Sequence, residues 1–504
     1  MTTAVNNKKK LVSIINAGSR GDLQPFVGMA LELSKYYRVR ILTNAGSSQK
    51  FVESFPHLEY AEIWPDDAQQ TLQTNQGLRH AMAEGNAFKF FQIIDELDKK
   101  NAPMTIKNFL NEMKNHRPDL LITGPLAAYM HFYAERILKF TVINLQLQTI
   151  GYNPHHASLG LPTLPFGMHY YLILFVIKGV FKGFAKYNEV AIKLGQPTLN
   201  LTEKEFMKEA SNSLKGFGSQ KSFICQSPLF RNILRPNVDP ERYIYTGACT
   251  INAKQQTKFS ANFGGDQCQQ QITAFLDKDK KNKPVYIGFG SMLGQEPRDL
   301  VLMSVTALMY ADERGIILAG TAGLSFELLC IATDDQNVIA YAKNNILFVN
   351  AVSHEWLFPK LKCTVHHGGS GTTQAALRSG VPTIVTPVYL DQFCHSHVVN
   401  QLGVGTGFRV SMKKINYINL GLAIKAVQSE QITLRCKEVS TIIRKENGNE
   451  FITKIVKERL VENGNSPDAS TAKLQLHQAY ILPELVMVSL KMIMIACILK
   501  FCLT

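Results

Sequence analysis

The sequence predicts an α/β protein of two domains, each built on a parallel sheet, facing one another across a ligand cleft. Three observations predict it. At 504 residues the chain exceeds one ordinary core and suits two large domains plus an appendage. Short apolar runs of strand length alternate with stretches of helical spacing, which implies βαβ units. The alternation breaks once, around 252–283, where Gln, Asn, Asp and Lys dominate around Gly264-Gly265. That stretch reads as a linker or a surface excursion.

The elements follow in order. Leu11 to Ala17 reads as a strand and Gly18-Ser-Arg-Gly-Asp-Leu-Gln-Pro25 as a glycine-rich turn. Phe26, Val27, Ala30, Leu31 and Leu33 then recur at helical spacing. Further strands are expected at Val39 to Leu42, at Asp119 to Thr123 behind the Arg117-Pro118 break, and at Phe140 to Leu145. A second set comprises Val285 to Phe289, Ile316 to Ala319, Ile346 to Val349, Cys363 to His366 and Thr383 to Thr386. The expected division is a first domain over 1–250, a linker over 251–283, a second domain over 284–465 and an apolar tail over 466–504. Two such halves invite a ligand at the carboxyl ends of their strands.

Two apolar segments stand apart. Tyr170 to Val180, interrupted by Lys178 and extended by Phe181 and Phe184, reads as a core helix or as a membrane-facing patch. The tail is apolar from Ala479 onward, with Glu484, Lys491 and Lys500 as its charges. A spanning helix needs about 20 apolar residues. Lys491 interrupts one, and with Lys500 on the opposite helical face no tidy amphipathic helix results. Membrane contact and burial against a protein surface both remain open for the tail.

Composition narrows the classes. Hydrophobic residues at 45% and charged residues at 19% are ordinary for an α/β protein. The net charge of +14 comes partly from lysine clusters at Lys8 to Lys10 and Asp277 to Lys283. No Arg/aromatic pattern accompanies them, so nucleic acid is not an expected partner, while an anionic membrane surface is compatible. The nine cysteines lack CxxC spacing, which argues against a disulfide framework and a zinc site and for reduced thiols. The N-terminus lacks the pattern of a signal peptide. The expected location is cytoplasmic, with peripheral contact to membranes.

Thr364-Val-His-His-Gly-Gly-Ser-Gly-Thr-Thr-Gln374 carries the most chemistry. A buried strand enters a glycine-rich turn and a helix follows. Unpaired N–H groups and the positive end of a helix dipole then converge on one spot, suited to a phosphate. Gly369 and Gly371 let the phosphate approach, Thr372 adds a hydroxyl, and His367 can donate to an oxygen. A second glycine turn at Gly288-Phe-Gly-Ser291 places Ser291 to donate as well. It lacks the GxGxxG spacing and the acidic residue of a dinucleotide site, which disfavours an oxidoreductase. Asp391 and Gln392 follow a strand end, where a carboxylate and an amide can hold sugar hydroxyls. Trp356 reads as a base-stacking ring or as a core residue. Asp22 has two readings: a helix N-cap, and a general base facing the cleft. His395 and His397 are weak as a metal site, and Asp277-Lys-Asp279 reads as a solvated charge run.

Taken together these segments resemble the UDP-glycosyltransferase superfamily with two facing Rossmann-like domains, the GT-B fold. The likeness is to the sterol 3-beta-glucosyltransferases and the related natural-product glycosyltransferases. It rests on the Gly18–Pro25 turn, Pro284 to Met292, Val352-Ser-His-Glu-Trp-Leu-Phe-Pro359, the His367 to Thr372 run and Asp391-Gln392, in that order. The resemblance implies inverting transfer of a hexose, glucose from UDP-glucose, to a hydroxyl of a sterol or other lipid, with Asp22 as base. It implies Val352 as the backbone contact to uracil and Asp391-Gln392 as the sugar contacts. UDP-sugar enters as co-substrate, and no metal is expected. A binder of nucleotide sugar or lipid without catalysis, and a transferase with a small non-sterol acceptor, are the alternatives.

Overall fold

A computed structural model describes residues 9–84, 86–149, 165–207, 221–234, 241, 243–388 and 390–462. The first sheet holds β1 Leu11–Ile15, β2 Arg38–Asn44, β3 Glu59–Trp64, β4 Leu120–Thr123, β5 Val142–Gln146, β6 Ser222–Ile224 and β7 Tyr243–Tyr245. The second holds β8 Val285–Gly288, β9 Gly315–Leu318, β10 Ile346–Val349, β11 Cys363–His366, β12 Thr383–Val385 and β13 Gly405–Gly407. The strand orders are β3-β2-β1-β4-β5-β6-β7 and β10-β9-β8-β11-β12-β13. All pairings are parallel; Ile14, for example, lies between Ile41 and Ile122.

Both sheets therefore run outward from their first strand and then return to its other side. The crevice at such a reversal lies at the carboxyl ends of neighbouring strands, here β1 with β4 and β8 with β11. A short Gly18-Ser19 turn leaves β1, and helix Arg20–Leu33 begins five residues before Pro25, where the turn is expected to end; the Ser291 turn leaves β8 and the His367 turn leaves β11. Topology thus puts the three glycine turns at the two crevices. The central strands β1, β4, β8 and β11 are fully buried, mainly apolar runs, as helices on both faces require.

The predicted strands appear with ends shifted by a residue or two. Four strands were not read from sequence: β3, β6, β7 and β13. The last three are three residues long, too short for a period to show.

The stretch 251–283 holds helices Ala253–Lys258 and Gly265–Lys278 with a short turn Ser260–Phe263 between them. Ile272 is buried against Tyr286, Ile316 and Val349, so the stretch packs on the second sheet. The helix Gly448–Glu462 returns to the first half: Ile452, Val456 and Leu460 join Val12, Ile14, Phe26 and Val27 in one core. The apolar tail lies outside the described residues. The segment 170–184 falls within helix His169–Lys193, where Phe184 packs with Phe132, Tyr129 and Phe206. Among the described residues no helix is long and apolar enough to cross a membrane.

Candidate functional site

The chain leaves β11 at His366 and enters helix Ser370–Ser379 through Gly369, which supplies no side-chain cap. The first bond of that helix is Thr373 N–H to Gly369 O, 2.9 Å. The N–H groups of Ser370, Gly371 and Thr372 have no hydrogen-bond partner among the described residues. Gly371 is exposed, and a side chain there would meet nothing within 4 Å. The helix start is therefore open to an anion, with its dipole directed at it.

His367 is held beside this start by two glycines. A Cβ at Gly290 would come within 3.0 Å of its Cε1, and one at Gly369 within 2.5 Å of its Nε2. Only residues without side chains admit the ring there. Burial, helped by nearby His354 and His395, pushes the His367 pKa down to about 4. The ring is neutral at pH 7, with one N–H to donate, and its buried Nδ1 has no partner among the described residues. Ser291 follows Gly290; among the described residues its hydroxyl makes only a 4.0 Å contact to the Met292 sulfur.

Asp22 lies at the third position of helix Arg20–Leu33. The cap is Ser19, which corrects the reading of Asp22 as the cap itself. Ser19 donates from its backbone N–H (2.8 Å) and its hydroxyl (3.0 Å), both to Asp22 Oδ2. That leaves Oδ1 as the oxygen able to take a proton from a substrate. Burial raises the Asp22 pKa to about 6, opposed by the Ser19 bonds and reinforced by the charge of Asp391. Asp391 begins helix Gln392–Leu402 from the second half, and burial raises its pKa to about 7. Leu390 before it adopts φ 60°, a left-handed conformation that costs a non-glycine residue ~1–2 kcal/mol. Two carboxyls from opposite halves thus meet electrostatically, and Asp391 stands 3.5 Å from His395, which bonds the Gly368 carbonyl of the glycine turn at 2.6 Å.

The remaining expected residues take less exposed roles. The amide oxygen of Gln392 accepts from Val388 N–H at 2.7 Å and braces its own loop. Val352 leaves β10 and lines a small cavity with Trp356 and Phe263. The Trp356 indole packs against the second core, and the Lys360 ammonium stands 3.9 Å from its ring centre. Asp277 pairs with Lys280, and Asp279 accepts from the N–H groups of Lys281 and Asn282. Among the described residues no group of three or more His, Cys, Asp or Glu side chains could hold a metal ion.

Some residues carry weight that sequence reading missed. The Arg20 guanidinium lies over the rings of Phe51 (4.3 Å) and Phe263 (4.9 Å), with Gln24 at 3.5 Å as its hydrogen-bond acceptor. Gln226, after β6, reaches Ser370 and His395 of the second half. Gln374 bonds Cys225 O and Ser227 N–H. These partners are well over a hundred residues apart, so no local pattern announces them. In the first half, Trp64, Leu126, Met130, Val180, Phe184 and Tyr187 line a mainly apolar cavity at the carboxyl ends of β3 and β4.

Residues 317–462 match the family described as erythromycin biosynthesis protein CIII-like, C-terminal domain. Over 460 residues the chain is 28% identical to a sterol 3-beta-glucosyltransferase of Saccharomyces cerevisiae, covering 89% of this chain and 35% of that one. It is 27% identical over 463 residues to the Komagataella phaffii protein of the same name, covering 89% and 34%. The chain spans about a third of the length of these relatives. Among solved structures, the glycotransferase of kitacinnamycin superposes with a TM-score of 0.61 at 16% identity, covering 90% of this chain and 100% of the other. The spinosyn rhamnosyltransferase SpnG does so with a TM-score of 0.55 at 14% identity, covering 89% and 100%. The two parallel-sheet α/β halves form the GT-B fold of these structures.

Proposed function

With a GT-B fold and a chain-long likeness to sterol 3-beta-glucosyltransferases as premise, we propose that the chain transfers glucose from UDP-glucose to the hydroxyl of a sterol or similar lipid, with inversion. The observation that carries this reading is the pair Asp22 and Asp391, brought from opposite halves within electrostatic reach of each other, with Asp391 3.5 Å from the His395 that bonds the Gly368 carbonyl of the phosphate turn. With a pKa of about 6, Asp22 is mostly ionised at pH 7 and accepts the proton of the acceptor hydroxyl on Oδ1. The hydroxyl oxygen bonds to the anomeric carbon as the bond from that carbon to the diphosphate oxygen breaks. The electron pair leaves with UDP. Its charge is met by the N–H groups of Ser370 to Thr372, by neutral His367 and by the Ser291 hydroxyl, donors already in place before the reaction. Asp391 and Gln392 hold the sugar, Val352 the uracil, and this scheme needs no metal.

The lipophilic acceptor is supported by the apolar cavity in the first half. The net charge of +14 supports peripheral contact with an anionic membrane. Flotation with anionic vesicles of the full chain and of a truncation before Ala479 tests that contact; equal partition of the two removes the tail's part in it. The activity itself is tested by a panel of UDP-sugars against sterols, other lipids and small phenols, with product mass as readout. A glucosylated sterol is the expected product. Binding of UDP-glucose without turnover on any acceptor would make the chain a binder.

A further inference from the structure

Gln226 spends every polar atom of its fully buried side chain on one connection between the halves. Its Oε1 accepts from Thr149 N–H (3.2 Å) and Thr149 Oγ1 (2.9 Å), in the loop after β5. Its Nε2 donates to Ser370 Oγ (3.2 Å) and to His395 Nε2 (2.8 Å). An amide nitrogen only donates, so His395 Nε2 must be the lone-pair nitrogen. The proton then sits on Nδ1, which donates to Gly368 O at 2.6 Å. Burial lowers the His395 pKa to about 4, which keeps the ring in this neutral form.

The peptide joining Gly368 to Gly369 is trans and planar. Fixing its carbonyl toward His395 turns the Gly369 N–H to the opposite side. On its other side Gly368 donates its N–H to His366 Nδ1 at 3.0 Å. The turn is thus oriented from both ends, and one of those ends is held from the first half. Ser370 repeats the link, donating to Leu147 O at 2.9 Å.

We infer that Gln226 and His395 are positioning residues: Gln226 sets the tautomer of His395, and His395 aims the Gly369 N–H at the diphosphate of the donor. This rests on the proposed donor site. Thr149, three residues after β5, belongs to the same chain of bonds.

Titration of UDP and of uridine, followed by calorimetry, tests the inference. Gln226→Met and His395→Phe each raise the Kd for UDP about tenfold and leave that for uridine unchanged. His395→Asn keeps a donor near the Nδ1 position and recovers most of the UDP affinity. Combining Gln226→Met with His395→Phe costs no more than either alone, because both cut one chain. Should Gln226→Met fail to fold, Thr149→Val loosens the same amide and weakens UDP binding by a smaller factor. UDP affinity equal to that of the unaltered chain in folded variants, with only the melting temperature lowered, would overturn the inference. A wild-type chain that binds no UDP would instead remove the donor site on which it rests.

Discussion

Asp22 and Asp391 come from different halves of the chain, 369 positions apart, yet the charge of one raises the pKa of the other. Among the described residues neither carboxyl is paired with a lysine or arginine; His395, itself held neutral, stands 3.5 Å from Asp391. Partly buried carboxyls without a counter-charge cost stability and persist where chemistry uses them.

Replacing Asp22 by Asn separates its two roles. Asn can still accept from Ser19, so the helix start survives. It cannot take a proton. Steady-state kinetics on Asp22→Asn should show kcat reduced by ~10²–10⁴-fold with UDP affinity unchanged. Retained turnover would move the base elsewhere.

The pH dependence has opposite signs for rate and stability. The rate needs ionised Asp22, so kcat/KM should fall tenfold per pH unit below about pH 6. Stability runs the other way. Both carboxyls have folded pKa values above their unfolded ones, so the folded state binds more protons between about pH 4 and pH 7. Their contribution is most favourable below that window and is lost as pH rises through it. Asp391→Asn should accordingly be more stable than the unaltered chain at pH 8 by roughly 1–2 kcal/mol, and indistinguishable from it at pH 4. Urea midpoints at the two pH values check this.

Gly290 tests the packing of His367. Gly290 has φ 61°, and an added Cβ would press on the imidazole at 3.0 Å. Gly290→Ala should lower stability by about 1 kcal/mol or more and weaken UDP binding at least tenfold through displacement of the ring. Thermal unfolding and UDP titration measure the two effects separately.

Leu126 offers a test of the acceptor cavity that spares the fold. It is 60% exposed although it lines the apolar cavity of the first half. Leu126→Glu should change stability by no more than about 0.5 kcal/mol, raise KM for a sterol about tenfold or more, and leave KM for UDP-glucose alone. An unchanged sterol KM would place the acceptor outside this cavity.

Much of this architecture was legible in the residues. The strands Leu11–Ile15, Val285–Gly288 and Cys363–His366 are apolar runs ending in glycine turns, and that local pattern suffices to put the turns at strand ends. Asp22, Ser291 and the His367–Thr372 run could be singled out because each follows such a strand closely, at a turn or in the first turn of the helix behind it. The strands β6, β7 and β13 could not, since three residues carry no period. Nor could the return of Ile452 and Val456 to the first core, because an apolar helix face does not name the surface it will cover. Gln226 and Gln374 look like any surface amide until the fold brings them to the seam. Trp356, open in the sequence between a base platform and a core residue, packs partly on the core beside Lys360 and also lines the small cavity with Val352.

The central claim is a single displacement assisted by Asp22, and the configuration of the product tests it most directly. The chain is incubated with UDP-glucose, an α-linked donor, and a sterol, and the new glycosidic bond is assigned by proton NMR. Inversion predicts a β-glucoside formed by the unaltered chain and lost with Asp22→Asn. An α-glucoside, or UDP-glucose bound and never consumed, would contradict the account.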